Sequence, residues 1–248
     1  MKQHSIRTAS SFALAGAVLL CSFASAAHAD PHDKLEPINR GVNEINYNAD
    51  KITLRPAANA YEKTMPSIVR TGVSNFFGNL GDPWSAVNNV LQLKVPEAAQ
   101  DATRFAFNTV FGLGGLLDIA GEAGLERHKA DFGSTLARWG VPAGPYMELP
   151  LFGPSTLRDT LALPVDLVGS PIKYVGPVSD RNALIAGRVI DTRARALPID
   201  PMLDSAIDRY TLTRDMYLQH RESEISGDGD DKAPASNELA ESAGASRQ

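Results

Sequence analysis

Apolar residues recur at helical spacing along most of the chain. In "PSIVRTGVSNFFGNL" (66–80), Val69, Val73, Phe76, Phe77 and Leu80 fall on one side of a helix, and Pro66 suits a first helical turn. Gly81-Asp82-Pro83 then reads as a stop and a restart, with Asp82 as N-cap and Pro83 at the first position of a new helix. That helix carries Trp84, Val87 and Leu91 in a stripe beside Asn88 and Asn89. Pro96 opens another in "PEAAQDATRFAFNTVF" (96–111), where Ala99, Ala102, Phe105 and Val110 are apolar and Asp101, Arg104 and Asn108 share a different face. Residues 180–197 read as a basic amphipathic helix behind an Asp180 cap. Residues 201–222 read as a last helix, with Met202, Leu203, Ile207, Tyr210 and Tyr217 among alternating charges. Between these groups "WGVPAGPYMELPLFGPSTLRD" (139–159) sets three glycines and four prolines among aromatics, the composition of a loop or short hairpin. The expected fold class is all-α with little strand.

One stretch fits neither water nor a membrane span. "NFFGNLGDPWSAVNNVLQL" (75–93) mixes Phe76, Phe77, Trp84 and Leu91 with Asn75, Asn79, Asn88 and Asn89. A soluble core helix seldom takes so many amides, and a membrane-spanning helix does not tolerate them. The longest apolar run beyond the leader, "VFGLGGLLDIA" (110–120), is too short for a span and contains three glycines and Asp118. The alternating ten-residue segments of an outer-membrane barrel are missing as well. Amphipathic stripes of this kind suit helices lying in a bilayer surface, and they suit a water-soluble bundle equally.

The two chain ends read differently from the middle. Lys2 and Arg7, an apolar run from Phe12 to Phe23 and the small-residue site Ala27-His28-Ala29 have the layout of a secretory signal peptide over residues 1–29. Cys21 is the chain's one cysteine and a candidate for lipid attachment, but Leu20 precedes it, where such processing wants a small residue. Cleavage after Ala29 removes two basic residues and no acidic one, which takes the net charge from −5 to −7 and leaves no cysteine. No disulfide then helps the fold, and the acidity argues against nucleic acid as a partner. A helical domain over 30–222 is expected, followed by a disordered tail over 223–248 that is rich in Ser, Gly, Asp and Ala.

Catalytic and cofactor motifs are lacking. "GLGG" (112–115) does not complete a dinucleotide-binding fingerprint, because Leu117 occupies the last glycine position and the preceding residues look helical; a Gly-rich turn is the better reading. There is no Walker loop, no H-E-x-x-H and no nucleophile elbow. His32, His128 and His220 lie far apart, and His128 with Asp131 reads as a solvated turn rather than half a metal site. No cofactor or metal is expected.

Five blocks carry a resemblance. "LEPINR" (35–40), "NFFGNLGDPWSAVNNVLQ" (75–92), "RFAFNTVFGLGGLLDIA" (104–120), "DFGSTLARWGVPAGPY" (131–146) and "LPLFGPSTLRD" (149–159) occur in this order. Together they resemble the VacJ/MlaA family of Gram-negative outer-membrane proteins over roughly residues 30 to 210. The resemblance implies a ring of amphipathic helices in the inner leaflet of the outer membrane, around a central amphipathic channel. It also implies association with trimeric porins and transfer of stray outer-leaflet phospholipids to a periplasmic MlaC-type carrier, without covalent chemistry. On that reading Phe76, Phe77, Trp84 and Leu91 are membrane-embedded. The family's hairpin-like gating loop maps to about 138–154, with Trp139, Gly140, Pro142, Gly144, Tyr146, Pro150, Phe152 and Gly153 as its residues. A soluble periplasmic lipid chaperone and a lipid hydrolase are the competing functions. Leu20 departs from the lipoprotein pattern of typical members.

Cleavage after Ala29 gives a mature chain beginning at Asp30, and Cys21→Ala leaves its localisation unchanged. Intact mass of the membrane-extracted protein checks this; a diacylated species starting at Cys21 overturns it.

Overall fold

The computed structural model describes residues 33–226, and the expected leader, Cys21 and the tail beyond 226 lie outside them. Helices dominate. α1 (Glu36–Ile52) and α2 (Leu54–Thr64) are separated by a break at Thr53, and α3 (Ser67–Leu91) turns through an exposed Leu93 into α4 (Val95–Val110). Short helices α5 (Ile119–Glu122) and α6 (Phe132–Arg138) lead to an antiparallel hairpin of β1 (Tyr146–Leu149) and β2 (Gly153–Thr156). Its register pairs Tyr146 with Thr156 and Leu149 with Gly153. α7 (Leu157–Gly169), α8 (Val178–Ala196), α9 (Asp200–Ser205) and α10 (Arg209–Ser226) complete the chain.

Four boundaries differ from the sequence-based expectation. Gly81-Asp82-Pro83 does not divide two helices: α3 runs through Pro83 for 25 residues, or about 37 Å. Proline there removes one backbone hydrogen bond, and the Asp82 carboxylate serves Arg127 at 2.8 Å instead of capping. Asp180 lies in the first turn of α8, two residues past its start, with Pro177 at the cap. The expected helix over 201–222 is broken at Ala206, which is extended, and α10 restarts beyond it. Asp208 drives the restart by accepting from Thr211 N–H while Arg40 grips it with two hydrogen bonds. Finally, α10 continues to Ser226, so residues 223–226 are helical; Arg221 and Glu224 pair across one turn at 3.0 Å.

The interior is polar and the exterior apolar. Of the described residues, the buried apolar ones are mainly alanine with Phe77, Ile172, Tyr146 and Tyr210, whereas buried polar residues are more than twice as numerous. α1 shows the inversion on one helix. Glu36, Asn39 and Asn43 are buried, while Ile38, Ile45 and Ile52, seven residues apart, face outward. α4 repeats it. Asp101, Arg104 and Asn108 are almost fully buried, and Phe107, Val110 and Phe111 are exposed.

Asparagines are what the buried faces share. Asn89 donates to the Asp101 carboxylate at 2.8 Å and to the His128 carbonyl at 2.9 Å, tying α3 to α4 and to the loop before α6. Asn88 donates to the Trp84 carbonyl and accepts from Thr135. Asn79 reaches Thr109, and Asn75 reaches the Leu116 carbonyl. Arg104 and Asn108 both hold Asp118, and Asn108 also accepts from Ala120 N–H. The loop from 111 to 128 is thereby folded back onto α4. Burial pushes the Asp101 carboxyl up to about 6 against the hydrogen bonds from His128 N–H and Asn89. The "GLGG" stretch is a turn pressed on this network: a Cβ at Gly112 would lie 2.3 Å from the Leu117 carbonyl oxygen.

Asn89→Ala leaves a buried carboxylate oxygen and a buried carbonyl without donors and costs about 2–3 kcal/mol. Val90→Ala, at an exposed position, changes stability by less than about 0.5 kcal/mol. Thermal unfolding in detergent distinguishes the two; equal losses contradict a polar core.

Candidate functional site

The helices close around a cavity of about 780 Å³. α3 supplies one wall with Phe77, Gly78 and Trp84, α7 another with Leu163 and Leu167, and α8 a third with Arg188 and Val189. Residues 127–131, Phe152 of the hairpin and Arg221 of α10 complete the circuit. The lining is apolar and charged at once.

Two of these walls depend on backbone approach. The Trp84 indole lies against Gly169, where a Cβ would come within 2.3 Å of the ring, and donates Nε1–H to Asp166 at 2.8 Å. Asp166 also accepts from Phe132 N–H at 2.8 Å, which fixes the start of α6 on α7. Burial raises the Asp166 carboxyl above its ordinary range despite these donors. At Gly78 a Cβ would meet the Arg127 guanidinium at 2.5 Å, so glycine there lets Arg127 reach Asp82.

Charges around the cavity are mostly committed. Asp82 is held by Arg127, although burial keeps its carboxyl above the usual range. Arg221 of α10 reaches Asp131 at 2.7 Å, Asp159 at 3.1 Å and Glu224 at 3.0 Å, clasping α6, α7 and α10 together. Burial alone would raise Asp159, but hydrogen bonds and charge from Arg221 outweigh it and lower the carboxyl. Lys129 and Arg188 are the exception. Both line the cavity, both are exposed to it, and neither has a hydrogen bond or ion pair among the described residues.

A second, apolar groove of about 680 Å³ lies on the other side of Phe77. Val73, Phe76, Leu116, Leu184 and Ile190 line it. Phe77 belongs to both spaces, stacked edge-on with Phe76 at 5.3 Å between centroids.

The sequence-derived residues are distributed unevenly over this geometry. Leu91 faces outward, whereas Phe77 is buried and Trp84 lines the cavity, not the outer surface. Phe76 lines the groove. The reason is the unbroken α3, whose polar and aromatic positions interleave on the inner side. Among the loop residues, Phe152 alone lines the cavity, from the exposed hairpin tip. Tyr146 is instead buried behind the hairpin, donating to Glu148 and packed edge-on against Tyr210 and Tyr217. Trp139 lies outside, exposed and donating to the Leu91 carbonyl. Gly140, Gly144 and Gly153 adopt left-handed backbone, Pro150 lies in the hairpin turn and Pro142 in the irregular segment before β1. His128 and Asp131 are not a solvated pair: His128 is buried on Asp101, and Asp131 caps α6.

Sequence reasoning did not single out the hairpin's anchors. Asn46 of α1 donates to the Leu149 carbonyl at 2.9 Å and to Glu148 at 3.1 Å, and accepts from Leu151 N–H at 2.8 Å. Asn39 accepts from Glu148 N–H and donates to the Tyr146 carbonyl, both at 3.0 Å. The signal was the seven-residue spacing of these two asparagines on α1, two turns apart on one face.

Comparison with known proteins gives one answer. The family model of the MlaA lipoprotein matches residues 31–224. The chain is similar to the intermembrane phospholipid transport system lipoprotein MlaA of Escherichia coli strain K12, with 36% identity over 195 residues and 77% of each chain covered. The Haemophilus influenzae protein of the same description is 32% identical over 203 residues, covering 78% of this chain and 79% of that one. A solved structure described as the structural basis for maintenance of bacterial outer membrane lipid asymmetry superposes with a TM-score of 0.69. It is 36% identical and covers 78% of this chain and 98% of its own.

Removing the Arg221 clasp takes one cation from the half-buried Asp159 carboxylate, which keeps Arg158, Thr156 and Tyr217. Arg221→Met costs about 2 kcal/mol and loosens α10, so limited proteolysis cuts between Ala206 and Arg209 faster than in the unaltered chain. An unchanged cleavage rate contradicts the clasp.

Proposed function

Because the chain belongs to the MlaA lipoprotein family, we propose that it is the outer-membrane component of an intermembrane phospholipid transport system that maintains lipid asymmetry. It removes phospholipids that have strayed into the outer leaflet and passes them through its cavity to a soluble periplasmic carrier of the MlaC type. A trimeric porin holds it in place. The observation that carries this reading is the inverted protein itself: an apolar outer surface and a polar interior enclosing a passage lined by both kinds of residue.

The membrane geometry follows from what the helices can and cannot do. No helix of the described residues is long and apolar enough to cross a membrane. Yet Leu91, Leu93, Val110, Phe111, Leu113 and Leu117 are all exposed around the α3–α4 turn and the loop after α4. Such a surface suits a position among acyl chains without spanning them, and it supports the reading that the ring sits in the periplasmic leaflet. Each buried methylene contributes roughly 0.8 kcal/mol, so the belt holds the protein without an acyl anchor. A soluble chaperone with the same helices folded inward would bury these residues. Their exposure favours the embedded form, and carbonate washing, which leaves an embedded protein in the pellet, separates the two.

The hairpin acts at the mouth of this passage. Its tip residues Leu151 and Phe152 are exposed, and Phe152 reaches the cavity. Glycines 140, 144 and 153 allow backbone movement, and Pro142 and Pro150 limit its range.

Deleting the protein raises phospholipid in the outer leaflet, read by headgroup labelling of intact cells, and the unaltered chain restores the normal level. Asn46→Ala, which removes the α1 bonds to Leu149 and Leu151 at the hairpin tip while Asn39 still holds its base, fails to restore it at normal protein level and with normal porin co-purification. Full restoration by Asn46→Ala shows that the fixed position of the hairpin tip has no part in passage.

A further inference from the structure

Two features of the passage have no partner inside the protein. One is the pair of free cations, Lys129 and Arg188, and the other is the apolar groove beyond Phe77. Four basic and four acidic residues line the main cavity, so its formal charge is balanced. The acids, however, are each held: Asp82 by Arg127, Asp131 by Arg221 and its cap, Asp166 by Trp84 and Phe132 N–H, and Glu224 by Arg221. What remains unmatched is positive. The Arg188 guanidinium is exposed to the cavity but ringed by protein. This desolvation, together with Arg195 on the same helix, lowers its pKa from the ordinary value. An anion at that point is favoured by both effects.

α8 joins the two features. Leu184, Gly187 and Ile190 face the groove, whereas Arg188 and Val189 face the cavity. Leu184 and Arg188 are one helical turn apart, a rise of about 6 Å, so a charged and an apolar site adjoin at lipid scale. The partition between them is a single side chain. Phe77 lines both spaces, and a Cβ on Gly187 would touch its ring at 3.5 Å, so the ring rests on bare backbone.

We propose that the cavity and the groove are two halves of one site for a diacyl phospholipid in transit, with the phosphodiester at Arg188 and Lys129 and an acyl chain passing Phe77 into the groove lined by Leu184. The proposal rests on the lipid-transport reading and adds where each part of the lipid is held. Arg188 provides paired donors for the phosphate oxygens, and Lys129 provides a second charge. Phe77 is the side chain that must turn aside as a chain enters.

The test uses the full-length protein in native membranes. A benzophenone residue replaces Leu184 in one variant, Ile190 in a second, and Ile185, which lines neither space, in a third. After irradiation, adducts are identified by mass. The site predicts phospholipid adducts through the acyl chain at 184 and 190, and a fall of about tenfold in both when Arg188→Gln is added, the loss of one charge-assisted hydrogen bond. The Ile185 probe reports bulk lipid and is insensitive to Arg188→Gln. Phe77→Trp narrows the passage and lowers the adducts at 184 and 190 while the Ile185 adduct stays constant. Inorganic phosphate and glycerophosphate supply the other arm: if either one stabilises the purified protein in an Arg188-dependent way while no lipid adduct forms, the site takes free phosphate and the proposal is wrong. Adducts at 184 and 190 that ignore Arg188→Gln also overturn it, since the groove then fills from the bilayer alone. A protein that restores lipid asymmetry yet shows none of these adducts defeats this site and leaves the transport function standing. Failure to restore asymmetry defeats both.

Discussion

Asn89 reaches from α3 to Asp101 on α4 and to the His128 carbonyl in the loop beyond, and much of the fold is assembled by repeats of that arrangement. A helix whose outer side faces hydrocarbon gains little by hiding more hydrocarbon inside. Association must come from groups that hydrocarbon refuses: amides, carboxylates and guanidinium groups that find partners only against one another. Arg104 with Asp118 at 2.7 Å, Arg127 with Asp82 at 2.8 Å and Arg193 with Asp50 at 2.7 Å are interior ties of this kind. The first two satisfy a buried charge, Arg104 and Asp82, that would otherwise be prohibitively placed, and the third joins two half-buried groups. The small apolar interior follows from the same cause, since alanine fills the gaps that the polar ties leave.

The passage inherits its character from this construction. An interior made of polar side chains becomes an amphipathic lumen wherever helices separate, because the aromatic residues interleaved with them are exposed at the same place. Trp84 and Asp166 show the principle on a small scale, an indole forming wall and hydrogen-bond donor together. The comparisons with MlaA proteins point to an outer-membrane-associated lipoprotein of a phospholipid transport system, and the helical geometry agrees with them.

Much of this was legible in the sequence. Helical periods located α3, α4 and α8, the Gly/Pro-rich segment located the hairpin, and the mixed amides and aromatics of 75–93 signalled an unusual solvent; α1 and α2, whose apolar residues face outward, were not singled out. Direction was not legible. A stripe of Asp101, Arg104 and Asn108 looks the same whether it faces water or the interior, and only the loop folded over it decides. Local punctuation misled where a tertiary partner claimed the residue: Asp82 resembles a cap until Arg127 takes it, and the break at Ala206 is set by Arg40 holding Asp208, 168 positions away. Arg188 was visible only as one charge on a basic helix. Its lack of a partner is a property of the assembled ring.

The asparagine bridge from α1 to the hairpin has a mechanical meaning. Asn46 occupies the place a third strand would take, bonding both sides of the turn as backbone would. Hairpin and helix therefore form one stiff body, and Phe152 is carried on it like the tip of a lever. The soft joints lie at its edges, at Thr53 where α1 ends and at the glycines between Trp139 and Tyr146. Arg40, one turn before Asn43 on the same helix, links that lever to the start of α10. Tilting α1 thus displaces Phe152 at the cavity and the C-terminal arm together, so the attitude of the N-terminal helix and the position of α10 are mechanically one variable.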